Sequence, residues 1–357
     1  MRTAPSITPT DRSSPLGDVT TVAVVGLGYW GPNIVRNLFE LPEASLRYVC
    51  DVDADAVREM ERRYPSVRGT LRYEEVLEDP AVEAVAIATP VSTHYGLALA
   101  ALQAGKHVFV EKPLAGSTRE AVELIDLAVR QGLVLMPGHT FLYSPPVRLI
   151  RDLVASGEIG DIYFLSTSRV NLGLYQPDVS VAWDLGPHDF SILRYWLDDV
   201  PVRIAAWLRS CVMDDIPDVA FINMEYESGA VAHVELSWLA PSKLRRTVVV
   251  GSEKMVVYDD TSTEPVRIYD SGVVPSNPES FGEYHLSYRS GDVISPRVAA
   301  EEPLRMEMLD FCQAVQTGRQ PRSSAQLGLD VIRMIESVEQ SARQEGAPVS
   351  VSETAVY

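Results

Sequence analysis

The segment Val22-Ala-Val-Val-Gly26-Leu-Gly28-Tyr-Trp-Gly31 carries an apolar, β-branched run straight into GxGxxG and then into helical spacing from about Pro32 to Leu41. Each glycine has a separate physical task. Gly26 permits a tight turn, Gly28 lets backbone approach a pyrophosphate, and Gly31 allows a helix to pack closely on a strand. The helix N-terminus then presents unpaired N–H groups to phosphate oxygens. Tyr29 and Trp30 lie inside the turn and are assigned with the glycines to a dinucleotide. GxGxxG alone is a common pattern; its strand–turn–helix setting at the start of the folded region gives it weight. The alternative is a purely structural glycine turn.

The next apolar run, Leu46–Cys50, ends at Asp51, about twenty residues beyond the last glycine. A carboxylate there accepts hydrogen bonds from the adenosine ribose diol and repels a 2′-phosphate, which favours NAD over NADP. Asp53 competes with Asp51, and either also suits a helix cap. Further runs at Thr21–Val25, Ala84–Ala88, His107–Val110 and Val134–Met136 alternate with helical spacing at Ala54–Tyr64, His94–Ala104 and Thr118–Arg130. Continuous apolar strands separated by helices imply a parallel sheet covered on both faces, the Rossmann or doubly wound α/β architecture.

After about Tyr143 the period changes. A helix is expected over Pro146–Ala155, followed by strands in which alternate residues are apolar: Ala220, Ile222, Met224 and Tyr226, then Ala232, Val234, Leu236 and Trp238 after Ser228-Gly229. These read as an antiparallel hairpin, with Val248–Val250 and Met255–Tyr258 as later strands. Helices such as Gly186–Trp196 cover one face, and a second subunit is expected on the other. Pro275 to Pro296, rich in Ser, Gly, Pro and Tyr, reads as a long loop. Apolar spacing marks two last helices, one through Leu304, Met308, Phe311 and Val315 and one through Leu327, Val331, Met334, Ile335 and Val338. The expected organisation is a mobile tail over 1–18, an α/β domain over 19–143, and over 144–357 an α+β domain of mostly antiparallel, open-faced sheet flanked by helices. The helix at about 324–344 is expected to pack back on the first domain.

The 357-residue chain carries a formal net charge of −18, with no basic run interleaved with aromatics. Nucleic acid and membranes are therefore poor partners. Its three cysteines, Cys50, Cys211 and Cys312, are scattered without zinc spacing. Cys50 and Cys312 read as small buried hydrophobes. The first residues lack the apolar core of a signal peptide, and no run approaches the roughly 20 apolar residues needed to span a bilayer; a cytoplasmic protein is expected.

Glu111-Lys112-Pro113 follows a strand whose carboxyl end should face the ligand crevice, and Thr89-Pro90 should share that rim. A surface lysine is the plainer alternative for Lys112. Downstream, Asp184 and His188 are four apart and would share one side of a helix start, against the alternative of a capping aspartate and a core histidine. A metal at Asp184, His188 and Asp189 lacks an obvious further ligand, and none is expected.

These motifs, with Ala88-Thr-Pro…His94, Ala104-Gly-Lys-His-Val108 and Trp183-Asp184-Leu-Gly-Pro-His188-Asp189, resemble the Gfo/Idh/MocA family of sugar and inositol oxidoreductases over nearly the whole chain. The resemblance implies that Lys112 lies between cofactor and substrate and that His188 is a catalytic acid or base partnered by Asp184. His94 and Glu111 join the cofactor site. Asp184 is left either to fix the histidine or to help the lysine. Gly138-His-Thr-Phe-Leu-Tyr-Ser-Pro145 and Arg169-Val-Asn171-Leu-Gly173 resemble the branch acting at C3 of nucleotide-linked sugars. His139, Tyr143, Arg169 and Asn171 are the candidate substrate contacts. Oxidation or epimerisation of a free sugar, glycoside, inositol or aminocyclitol is the nearest alternative, and a non-catalytic NAD-binding regulator a more distant one. A homodimer or homotetramer through the second sheet is expected.

Overall fold

The computed structural model describes residues 19–173, 175, 179–275 and 286–351. The tail expected over 1–18 lies outside the described residues.

The first unit alternates strand and helix: β1 Thr20–Val25, α1 Gly31–Glu40, β2 Ala44–Cys50, α2 Ala54–Arg63, β3 Arg68–Thr70, α3 Tyr73–Glu78, β4 Ala84–Ile87, α4 Val91–Gln103, β5 His107–Glu111, α5 Thr118–Gln131 and β6 Leu135–Gly138. The strands form a parallel sheet in the order β3-β2-β1-β4-β5-β6. Strand order reverses between β1 and β4, which opens a crevice at their carboxyl ends. Burial on both faces explains the unbroken apolar runs. Val22 and Val24 join one core cluster while Ala23 and Val25 join the other, because successive strand residues point to opposite faces. The apolar-run reading lacks β3 and α3, which are too short and polar to register.

The chain continues through a 3-10 turn, Thr140–Tyr143, into α6 Pro145–Ala155, β7 Ile162–Val170, α7 Val181–Leu197, β8 Arg203–Arg209, β9 Val219–Glu225, β10 Val231–Ser237, β11 Leu244–Gly251, β12 Met255–Asp259, β13 Val266–Pro275, β14 Leu286–Ile294, α8 Pro303–Thr317, α9 Ala325–Arg343 and β15 Val349–Ser350. Its sheet runs β14-β13-β12-β11-β7-β10-β9-β8-β15. All described pairs are antiparallel except β7 with β10. The expected β9–β10 hairpin is present, with Ala220, Ile222, Met224, Ala232, Val234 and Leu236 buried beneath helices. The loop expected over Pro275–Pro296 is corrected: β13 and β14 pair through it, and residues 276–285 lie outside the described residues. Polar and glycine-rich strands at a sheet edge lack the apolar alternation that marks the inner ones.

α8 and α9 tie the two sheets together. On α8, Phe311 packs against Phe109 of β5 with ring centroids 5.9 Å apart, and Glu302 just before the helix pairs with Arg36 of α1. α9 lies against α5 and β6 on one side and α7 and β8 on the other. Gly328 lets it approach, since a Cβ there would fall 2.9 Å from Pro137 Cγ. Cys50 and Cys312 are buried as expected. Among the described residues, no helix is long and apolar enough to cross a membrane.

Candidate active site

The glycine turn has the geometry its spacing requires. Gly26 has φ of +94°, and a Cβ there would lie 2.5 Å from the Ala88 carbonyl oxygen. At Gly31 a Cβ would lie 1.9 Å from the Gly26 oxygen, whereas at Gly28 it would meet nothing within 4 Å. Gly26 and Gly31 are thus required by the fold itself, and Gly28 faces open space. No side chain caps the start of α1, so its first N–H groups are available to an anion. Asp51 accepts from the Leu27 N–H at 2.6 Å and the Asp53 N–H at 2.9 Å, bracing the turn from the end of β2. Asp53 instead caps α2 through the Asp55 N–H at 2.8 Å, which leaves Asp51 as the carboxylate at the turn. Tyr29 and Trp30 stand exposed on its outer edge. Open glycine, uncapped helix and strand-end carboxylate together fit an adenine dinucleotide.

At the ends of β4 and β5, Thr89 accepts from the Thr93 hydroxyl at 2.7 Å, and Pro90 precedes the first turn of α4. His94 is turned inward, with Nδ1 2.8 Å from the Pro113 carbonyl and Nε2 2.8 Å from the Thr89 carbonyl. Expected at the cofactor, it instead braces the two strand ends that frame the crevice. Burial lowers its pKa. Glu111 folds back over Gly138, where a Cβ would lie 3.2 Å from its Cδ, and burial pushes its carboxyl up to about 7.

The structure brings Lys112, Asp184 and His188 together. Lys112 Nζ donates to the Asp184 carbonyl oxygen at 2.8 Å and lies 3.5 Å from the Asp184 carboxylate. The Trp238 indole N–H donates to the same carboxylate at 3.0 Å. α7 begins at Val181, earlier than the spacing indicated, so Asp184 occupies its first turn and His188 follows one turn later. Among the described residues, the Asp184 carboxylate has Lys112 and Trp238 as partners. His188 packs edge-on against Phe141 at 5.1 Å. Burial, with the charges of Lys112, Arg169 and Arg245, holds its imidazole well below the usual range.

The expected substrate contacts divide. His139 is buried close to the Lys112 charge, with both ring nitrogens unpartnered. Asn171 follows β7 and lies beside Gly173 near Trp238, at the rim. Arg169 sits near the far end of β7 and is buried in an ion pair with Asp189, Nε to Oδ2 2.5 Å. That pairing holds its Nε away from any ligand, although Nη1 is unpartnered. Tyr143 is turned away, its hydroxyl donating to Asp310 at 2.7 Å and accepting from the Ser323 N–H at 3.1 Å. Sequence reasoning missed Trp238 and Arg245. Arg245 is the register partner of Arg169 on β11, and its guanidinium lies 5.9 Å from the Phe141 ring centroid. The Lys243-Leu-Arg245-Arg246 cluster in so acidic a chain was the available signal.

Known proteins resemble this chain over both of its units. Residues 20–139 match the model described as an oxidoreductase family with an NAD-binding Rossmann fold, and residues 147–257 match the GFO/IDH/MocA C-terminal domain. The chain is 28% identical over 306 residues to UDP-N-acetylglucosamine 3-dehydrogenase of Acidithiobacillus ferrooxidans, covering 83% of this chain and 88% of that one. It is 27% identical over 260 residues to myo-inositol 2-dehydrogenase of Thermotoga maritima, covering 70% and 78%. Among solved structures, GenD2 from gentamicin A biosynthesis in complex with NAD superposes with a TM-score of 0.79 at 26% identity, over 97% of this chain and 99% of that one. The chain belongs to the Gfo/Idh/MocA oxidoreductase family, with an NAD-binding Rossmann fold.

Proposed function

We propose that this oxidoreductase oxidises a secondary hydroxyl of a sugar ring, with C3 of a nucleotide-linked sugar as its preferred site, and reduces the ketone in reverse. The carrying observation is Lys112 held at 2.8 Å on the Asp184 carbonyl, one helical turn from a histidine kept neutral. The remaining Lys112 N–H groups donate to the reacting oxygen and stabilise it as the carbonyl forms. Neutral His188 takes the hydroxyl proton as general base and returns it in reduction. Bound nicotinamide supplies the hydride acceptor, or the donor in reverse. Asp184 and Trp238 fix the lysine, His94 braces the strand end that carries it, and Asp51 with Gly26–Gly31 holds the adenosine half of NAD.

Lys112, Arg169 and Arg245 bring three cations to the His188 side of the site, each beside a carboxylate, Asp184, Asp189 and Asp260, and Arg169 keeps Nη1 unpartnered. Guanidinium N–H groups left over from such pairs suit phosphate or carboxylate oxygens of a substrate. The UDP-N-acetylglucosamine 3-dehydrogenase relative points the same way. Nicotinamide absorbance, followed with UDP-N-acetylglucosamine, its uronate, free N-acetylglucosamine and myo-inositol, tests the reading. The nucleotide sugars should lead in kcat/KM by about 100-fold or more, a difference of roughly 3 kcal/mol. Equal or better turnover of inositol would favour the second reading, a free polyol or aminocyclitol dehydrogenase, which rests on the inositol 2-dehydrogenase relative.

The chain is taken as two functional units meeting near residue 143, completed by a second copy on the open sheet face. In support, Trp207 pairs with Phe221 and Phe164 with Val231 on that face, all exposed. Light scattering of Phe221→Glu, smaller than the unaltered protein, would bear this out.

A further inference from the structure

Lys112 is anchored on a backbone carbonyl, so the position of its Nζ depends on what holds the first turn of α7 against the end of β5. Both of those segments are gripped by α9.

On the lysine side, α9 comes so close at Gly328 that a Cβ there would lie 3.4 Å from the Leu114 Cβ, two residues after Lys112. Further along the helix, Glu336 takes the start of α5. Its Oε1 accepts from the Thr118 N–H at 2.9 Å and its Oε2 from the Thr118 hydroxyl at 2.6 Å. A first-turn N–H has no partner within its own helix, and a carboxylate suits the positive end of the dipole. On the aspartate side, Glu339 Oε1 accepts from the Trp183 indole N–H at 2.7 Å. Trp183 immediately precedes Asp184 in the first turn of α7, and its ring packs against both core clusters. Glu336 and Glu339 are three residues apart and share one side of α9. One turn of a single helix therefore holds both the chain that carries Lys112 and the turn that supplies its anchor. α9 itself docks through buried apolar residues such as Val331, Ile335 and Val338. The Glu339 side chain is 32% exposed, with Oε2 3.7 Å from Arg343, so its bond to Trp183 adds direction more than burial.

We propose that Glu339 is a positioning residue for hydride transfer: by holding the Trp183 indole it fixes the first turn of α7, and with Glu336 at the start of α5 it keeps Lys112 and the Asp184 carbonyl in register. The role in the reaction rests on the dehydrogenase reading above; the mechanical link from Glu339 to Asp184 does not. A shift of the Asp184 carbonyl carries Nζ with it, and with Nζ the reacting oxygen. Misplacement by about 1 Å, caused far from the chemistry, can slow a reaction about 100-fold.

The test compares Glu339→Ala, which removes the acceptor, with Glu339→Gln, which keeps an oxygen for the indole N–H and discards only the charge facing Arg343. The first readout needs no activity. The chain has five tryptophans, and in protein labelled with 5-fluorotryptophan the Trp238 fluorine resonance, assigned with Trp238→Phe, reports on Asp184, whose carboxylate Trp238 binds. That resonance should move in Glu339→Ala and return in Glu339→Gln. In kinetics, Glu339→Ala should lower kcat about 10-fold, with a larger isotope effect from carbinol-deuterated substrate and a KM for NAD changed less than about threefold. Glu339→Gln should restore kcat. A Trp238 resonance unmoved in Glu339→Ala overturns the link. A moved resonance with unchanged kcat and isotope effect, or a loss of kcat that Glu339→Gln does not recover, overturns the positioning role. Should Glu339→Ala not fold, Glu339→Leu, which keeps bulk without the acceptor, takes its place. If the unaltered protein turns over no alcohol, the dehydrogenase reading fails and the fluorine spectra still decide the link.

Discussion

The Lys112 ammonium is anchored on the Asp184 backbone carbonyl at 2.8 Å, with the carboxylate of the same residue at 3.5 Å. The residues are 72 apart in sequence, Lys112 directly after β5 and Asp184 in the first turn of α7. One joint therefore sets both the position of the cation and the relation of the two halves of the crevice. Removing the amine should leave the cofactor turn intact. We expect Lys112→Ala to lower kcat by about 100- to 10,000-fold while NADH affinity, read by fluorescence titration, changes only a few-fold. Near-normal turnover would contradict the assignment.

Gly28 and Gly31 should respond oppositely to the same change. Gly31→Ala would put a methyl 1.9 Å from the Gly26 oxygen, so a loss of stability of about 3 kcal/mol or more is expected. Gly28→Ala meets no protein atom within 4 Å, and its Tm should hold while NAD affinity falls about 10-fold or more. Thermal unfolding and NADH titration of both variants check the contrast, and equal loss of Tm would refute it.

Asp51→Ala removes the carboxylate at the end of β2 and the acceptor of the Leu27 N–H. The ratio of kcat/KM for NAD over NADP should drop by about 10-fold or more, since repulsion of a 2′-phosphate goes with the charge. An unchanged ratio would show that another group reads the ribose.

His139 is buried, and burial beside the Lys112 charge lowers its pKa to about 3. Unfolded, it titrates near 6.5, so between these values the unfolded chain binds more protons. Stability should fall as pH drops through 6.5, by up to about 1.4 kcal/mol per pH unit for this group. Glu111, pushed up to about 7, acts in the opposite sense, losing its contribution as pH rises from about 4.5 towards 7. His139→Asn should therefore lose less Tm than the unaltered protein between pH 6.5 and 5; parallel curves would exclude the effect.

Arg245 approaches His188 and the Phe141 ring but keeps a partly exposed guanidinium, paired at 3.0 Å with Asp260. Arg245→Met should raise KM for a nucleotide-linked sugar about 10-fold with smaller change for myo-inositol. Equal effects on both would place the side chain outside the substrate site.

The first sheet was legible because every requirement is local. The glycine turn, the apolar strands and Asp51 lie within one short stretch, and backbone geometry alone dictates those residue types. Lys112, Asp184 and His188 were legible as motifs, since Lys112 follows a strand directly and the other two fall one turn apart in the first half of one helix. What the local pattern could not show is which buried group meets which. Arg169 is bound to Asp189, Tyr143 to Asp310, and His94 to two strand-end carbonyls, because partners supplied from distant segments decide where a polar side chain turns once it leaves water. Trp238 and Arg245 enter the site through strand pairing, which carries no sequence motif. The glycine turn and its cofactor were thus determined by the sequence alone; which groups the Asp184 carboxylate meets, Lys112 and Trp238, was decided only when α7 closed against the first sheet.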